Sequence, residues 1–209
     1  MRDLVFVHGW GFDASIWKDV CVHLPYENVH FIDLGFFGQA STDMPQNAIY
    51  VTHSMGLAWT LQHAKTIEGL ISINGFTRFC ACEDWVNGVA ERMLTRMCRQ
   101  FEKNPKAVWE EFMKNSGMCD PLLKENADTV ALLKGLEDLK SWDVRQAYQA
   151  LDIPKMALSS QNDLIVPEKL SKDSFEDNVI WYKEGTHLLP LNASQSVAQH
   201  ILGFMDQFS

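Results

Sequence analysis

The sequence predicts a three-layer α/β fold, a shortened and mostly parallel sheet covered by helices on both faces. Three observations carry this expectation. Residues 4–7, 29–32, 48–52, 70–73, 156–158 and 179–182 form short strand-like runs that are apolar throughout instead of alternating, as strands buried on both faces are. Helical patterns separate most of these runs, and strand–helix alternation builds a parallel sheet. The 209 residues, 46% hydrophobic and 22% charged, suit one globular domain and are too few for two of full size.

Each element follows in order. Leu4-Val5-Phe6-Val7 runs into His8-Gly9-Trp10-Gly11, a buried strand ending in a glycine-punctuated loop. A helix over 14–24 follows, with Ile16, Trp17, Val20, Cys21 and Leu24 at helical spacing and Pro25 beyond it as a stop. The second strand, 29–32, closes at Asp33. Residues 34–47 then hold Gly, Pro and polar side chains without an amphipathic period, so a crossover that ordinarily carries a helix is reduced to a loop. The third strand gives way to a helix over 55–64, and the fourth lies at 70–73.

Residues 76–150 far exceed one crossover and carry helical patterns at 84–103, 105–116, 121–135 and 142–150. Asn104-Pro105 separates the first two, because Asn caps a helix well and Pro fits its first position. The fifth and sixth strands follow. The expected division is therefore a core of 1–75 and 151–209 with a helical insertion of 76–150.

Composition narrows the function. Eighteen basic against 27 acidic residues give a net charge of −9, which repels nucleic-acid phosphates and anionic membrane surfaces. No signal-peptide stretch and no apolar run of about 18 residues is present, so a cytoplasmic protein, monomeric and without membrane or nucleic-acid partners, is expected. The five cysteines at 21, 80, 82, 98 and 119 lack the spacing of a zinc site and read as small apolar residues; no metal is expected.

Thr52-His53-Ser54-Met55-Gly56 sits where a strand becomes a helix, the setting in which a tight turn holds a serine exposed at a sheet edge. The pattern is G-x-S-x-G with Thr52 in place of the first Gly. Ser54 is either a nucleophile or simply the cap of the helix after it. A serine nucleophile needs a base, and the base needs an orienting carboxylate. Asp163 lies in the loop after the fifth strand and His187 in the loop after the sixth. Loops that follow parallel strands emerge at one edge, which brings Ser54, Asp163 and His187 together. His53 points elsewhere on the turn in this reading, and His23, His30, His63 and His200 are structural or surface residues. The negative oxygen of an acyl-transfer intermediate needs two N–H donors. Met55 offers one, and Trp10, between Gly9 and Gly11, offers the other.

These residues, together with Gly135-Leu136-Glu137-Asp138-Leu139, Asp143-Val144-Arg145-Gln146, Val166-Pro167 and Gly185-Thr186-His187, make the chain resemble the α/β-hydrolase superfamily. Within it, the chain looks most like the pimeloyl-acyl-carrier-protein methyl ester esterases of biotin synthesis. The resemblance implies Ser54 as nucleophile, Asp163 as acid, His187 as base, and Trp10 and Met55 as oxyanion donors, with no cofactor. It also implies a lid over 76–150, with Phe112, Met113, Lys114, Asn115 and Ser116 joining Trp10 in a substrate wall. The implied substrate is an ester on acyl carrier protein. A small ester in a general short-chain carboxylesterase, a lyase of the menaquinone-pathway type and a non-catalytic binding protein are the alternatives. Thr52 and the lost crossover helix depart from the pattern.

One further row stands out. Arg92, Arg96, Arg99 and Lys103 follow at spacings of four, three and four, on one face of a helix beside Met93, Met97 and Phe101. Such a row is either a solvated face held by pairs such as Arg99 with Glu102, or a dock for an acidic carrier protein.

Overall fold

The computed structural model describes residues 2–25 and 28–208. Six strands, β1 (Leu4–Val7), β2 (Val29–Ile32), β3 (Ala48–His53), β4 (Ile67–Ile73), β5 (Lys155–Ser160) and β6 (Val179–Tyr182), form one sheet in the order β2-β1-β3-β4-β5-β6. Every pairing is parallel. The apolar runs have a direct explanation in the pleat, which sends successive side chains to opposite faces. Phe6, Ile49, Val51 and Ile71 pack on one face, while Val5, Val7, Tyr50 and Leu70 pack on the other. Both faces are covered, so neither can be polar.

The helices are α1 (Lys18–Cys21), α2 (Met55–His63), α3 (Glu91–Lys103), α4 (Pro105–Ser116), α5 (Thr129–Ser141), α6 (Arg145–Ala150), α7 (Glu168–Phe175), α8 (Leu189–Asn192) and α9 (Ser194–Met205). No helix forms between β2 and β3, where the chain makes only a bridge from Asp33 to Ser41. The helix expected over 14–24 is a 3-10 turn, Ala14–Trp17, followed by the single turn of α1. Helices α7, α8 and α9 lie in segments for which the sequence suggested none. Among the described residues no helix is long and apolar enough to cross a membrane.

Helices α3 to α6 make up the insertion between β4 and β5, and four of its expected boundaries move: α3 starts later than 84, α5 starts later than 121 and runs on past 135 to Ser141, and α6 starts at Arg145 instead of 142. Residues 84–90 are not helical. Main-chain bridges fold the segment back on itself, Cys80 with Val89 and Cys82 with Trp85, so tightly that a Cβ on Gly88 would meet the Ala81 amide at 2.5 Å. Helix α5 starts at Thr129, not at 121, because the Asp128 carboxylate accepts from the amides of Val130 and Ala131 at 2.9 Å each. A charged clamp joins the two ends of the insertion. Arg78 reaches Asp143 at 2.6 Å, and Arg145 bonds Asp143 at 2.7 Å and Asp84 at 3.0 Å while stacking over the Trp85 ring.

Candidate active site

Ser54 sits between β3 and α2 with φ +53° and ψ −124°. A side-chain-bearing residue held in that sparsely populated region stores strain, on the order of 1–3 kcal/mol. Two glycines make the turn possible. A Cβ on Gly56 would lie 2.5 Å from the Val7 carbonyl oxygen, and one on Gly9 would lie 2.8 Å from Ser54 Cβ. The loop after β1 is therefore pressed against the serine. Thr52 is accommodated where the pattern has Gly: it is fully buried, and its hydroxyl donates to the Ile71 carbonyl at 3.0 Å.

His187 Nδ1 and Asp163 Oδ2 are 2.7 Å apart, and both residues are buried. The other carboxylate oxygen of Asp163 accepts from the amides of Ile165 at 2.7 Å and Val166 at 2.9 Å. With the carboxylate fixed on three donors, the Nδ1–H tautomer of His187 is held and Nε2 keeps its lone pair. That nitrogen is buried and has no hydrogen-bond partner among the described residues, Ser54 included. Asp163 and His187 are thus joined directly, while Ser54 shares their sheet edge without a bond to either.

Trp10 has two N–H groups, and the indole is taken. It donates to the Leu132 carbonyl of α5 at 2.8 Å, so any oxyanion donor from Trp10 has to be its main-chain amide. Met55 is the first residue of α2, and the first amides of a helix have no acceptor within it. Trp109 of α4 makes the reciprocal bond, its indole donating to the Gly11 carbonyl at 3.0 Å. Two indole bonds of opposite direction therefore tie the loop after β1 to the insertion. Gly135 on α5 makes room for the first: a Cβ there would come within 2.7 Å of Trp10 Cδ1.

Between sheet edge and insertion lies a cavity of about 570 Å³ that contains Ser54 and Trp10. Its walls are mainly apolar, with Phe76, Phe79, Leu94, Met97, Leu136 and Leu139, and its polar groups are Arg96, Gln100, Glu111 and Asn115. Of the expected substrate wall, Phe112 and Asn115 line it. Phe112 stands edge-on to Trp10, with centroids 4.8 Å apart, and to His187 at 6.4 Å. Met113, Lys114 and Ser116 do not line the cavity, which corrects that expectation. The helical turn takes Met113 to the opposite side, against Gly11, and Lys114 to solvent. The Ser116 hydroxyl bonds back to the Met113 carbonyl at 2.7 Å. Phe76, Phe79 and Ile165 are lining residues that the sequence did not single out, since apolar side chains at an insertion boundary look the same whether they face a neighbour or a space.

Arg92, Arg96, Arg99 and Lys103 line one groove on α3, and among the described residues none of them pairs with a carboxylate. The Arg99–Glu102 pair of a self-neutralised face is not formed. No group of acidic, histidine or cysteine residues able to hold a metal occurs among the described residues.

His53 does not point away from the site. It lies fully buried beneath His187, the two rings 4.8 Å apart, and burial, reinforced by His187, pushes its pKa well below that of a free histidine.

No family profile matches the chain. Among curated proteins, the pimeloyl-(acyl-carrier protein) methyl ester esterase of Vibrio cholerae is 23% identical, covering 97% of this chain and 94% of the relative. The protein of the same name from Pectobacterium atrosepticum is 26% identical, covering 98% and 92%. The Vibrio cholerae alignment runs over 240 positions against 209 residues here, so that relative carries additional residues within the matched span. Among solved structures, an esterase from Exiguobacterium antarcticum superposes with a TM-score of 0.83 at 13% identity, covering 99% of this chain and 92% of that one. A bromoperoxidase from Bacillus anthracis gives 0.83 at 19%, covering 98% and 92%. The chain has the α/β-hydrolase fold.

Proposed function

We propose that this α/β-hydrolase is a serine carboxylesterase whose substrate is the methyl ester of a pimeloyl chain carried on acyl carrier protein. One observation carries the chemistry: a hydrogen-bonded Asp163–His187 pair shares a sheet edge with a serine held at φ +53°, and the serine opens into an apolar cavity. In this reading Ser54 Oγ attacks the ester carbonyl while His187 Nε2 takes its proton. Asp163 steadies the imidazolium, and the main-chain amides of Met55 and Trp10 hold the oxyanion. The intermediate collapses as His187 returns the proton to the departing methoxide. Methanol leaves, and Ser54 keeps the acyl group. Water, deprotonated by His187, then releases the acid and restores the serine.

The substrate reading rests on the names of the curated relatives, an apolar cavity roofed by 76–150 as a lid, and the basic row on α3, which has no carboxylate partner among the described residues. Arg96 lines both the groove of that row and the cavity, which supports entry of an anionic carrier arm between them. A short-chain carboxylesterase is the second reading, favoured by Glu111 at the same cavity, whose charge opposes such an arm. Methanol release decides between them. The carrier-linked methyl ester should be cleaved at least tenfold more efficiently than the free monoester. Changing Arg92, Arg99 and Lys103 together to Glu should abolish that advantage at low salt and leave the free ester unaffected. Equal efficiency on both esters selects the second reading.

A further inference from the structure

We infer that His53 and Asn74 are positioning residues for His187, clamping its main chain from below while Asp163 holds its ring. Both donate to the same atom: His53 Nε2 lies 2.8 Å and Asn74 Nδ2 3.0 Å from the His187 carbonyl oxygen. Both lone pairs of that carbonyl are thereby used. Facing a carbonyl, His53 Nε2 must carry the hydrogen, which leaves Nδ1 with a lone pair and no partner among the described residues. A buried acceptor left unsatisfied is a cost that packing alone does not explain; a hydrophobic ring would fill the space without it.

Asn74 extends the clamp. It also donates to the Thr186 carbonyl at 3.0 Å, and its Oδ1 accepts the Ser160 amide at 2.9 Å. The Ser160 hydroxyl in turn bonds the Gly185 carbonyl at 2.9 Å. Four segments meet in this network: the serine turn through His53, the end of β4 through Asn74, the start of the Asp163 loop, and the His187 loop. Asn74 occupies the left-handed region at φ +47°, where asparagine is among the few tolerated side chains. The bonds tie the nucleophile's turn to the base's loop without crossing the cavity.

This inference rests on the proposed esterase reading, and its test separates the two. His53→Phe keeps the ring and removes the donor; His53→Gln restores an N–H. On a p-nitrophenyl ester, His53→Phe should lower kcat about 10- to 100-fold with KM nearly unchanged, and His53→Gln should recover most of the loss. The NMR signal of the proton shared by His187 Nδ1 and Asp163 gives a readout independent of turnover. It should broaden or vanish in His53→Phe and persist in His53→Gln. If His53→Phe does not fold, Asn74→Gly, which suits the left-handed backbone, is measured in its place with the same expectation. A folded variant with an unchanged proton signal overturns the clamp. Should the wild-type protein cleave no ester, the esterase reading fails, and the proton signal still decides the clamp.

Discussion

The floor beneath the candidate site and the insertion above it are built by opposite means. Below, orientation comes from directional bonds: Asp163 on three donors, the His187 carbonyl on two, and Ser54 on a strained turn locked by Gly9 and Gly56. Above, the walls are apolar side chains of α3, α4 and α5, held to the core by two indole bonds and, at their base, by the clamp of Arg78, Asp84, Asp143 and Arg145. On the proposed esterase reading the difference is one of task. Aligning a proton transfer demands fixed angles, which buried hydrogen bonds supply, whereas enclosing an acyl chain demands shape, which methionine and aromatic side chains supply.

That contrast predicts that changes in the floor reduce kcat on every ester alike, while changes above alter chain-length preference or stability. The largest effect should come from Ser54→Ala, with a kcat loss of about 10³-fold or more on short and long p-nitrophenyl esters, His187→Ala following closely. Asp163→Asn should cost less, since the members of such a unit are not equivalent. A floor variant that discriminates between chain lengths breaks the comparison.

Above the site, Phe112→Asp should raise KM for long acyl esters roughly tenfold and for acetate far less, because each buried CH₂ is worth about 0.8 kcal/mol. Equal effects would make Phe112 a support of the fold only. Trp10→Phe removes the indole bond and leaves the Leu132 carbonyl only its partner within α5, which should cost about 0.5–1.5 kcal/mol, read as a lower Tm.

The smallest effect belongs to the charged clamp. Bonding to Arg145, with Arg78 adding to it, holds the Asp143 carboxyl well below the usual carboxylate range. A depressed folded pKa contributes stability that is complete above the unfolded value and lost as pH falls through the folded one. The partners are partly exposed and screened by solvent, so Asp143→Asn should cost about 1 kcal/mol or less. Scanning calorimetry should find that deficit constant from about pH 7 to pH 5 and shrinking only below about pH 4.

The same contrast governs what the sequence reveals. The sheet is legible because a strand buried on both faces has no choice but to be apolar, and the edge that gathers Ser54, Asp163 and His187 follows from parallel topology. Helix α9, not among the expected elements, nevertheless keeps a helical period in its buried Val197, Ala198, Ile201, Phe204 and Met205. The insertion is less legible, for its boundaries depend on the Asp128 cap and on the fold-back around Gly88. The roles of His53 and Asn74 leave no mark in the sequence, because they depend on one carbonyl oxygen more than a hundred residues away.

The central claim, that Ser54 is a nucleophile served by His187 and Asp163, is tested most directly by treating the protein with a fluorophosphonate and mapping the modified peptide by mass spectrometry. The account predicts a single adduct on Ser54, formed far more slowly in His187→Ala and absent in Ser54→Ala. No adduct, or one that persists when Ser54 is replaced, would contradict it.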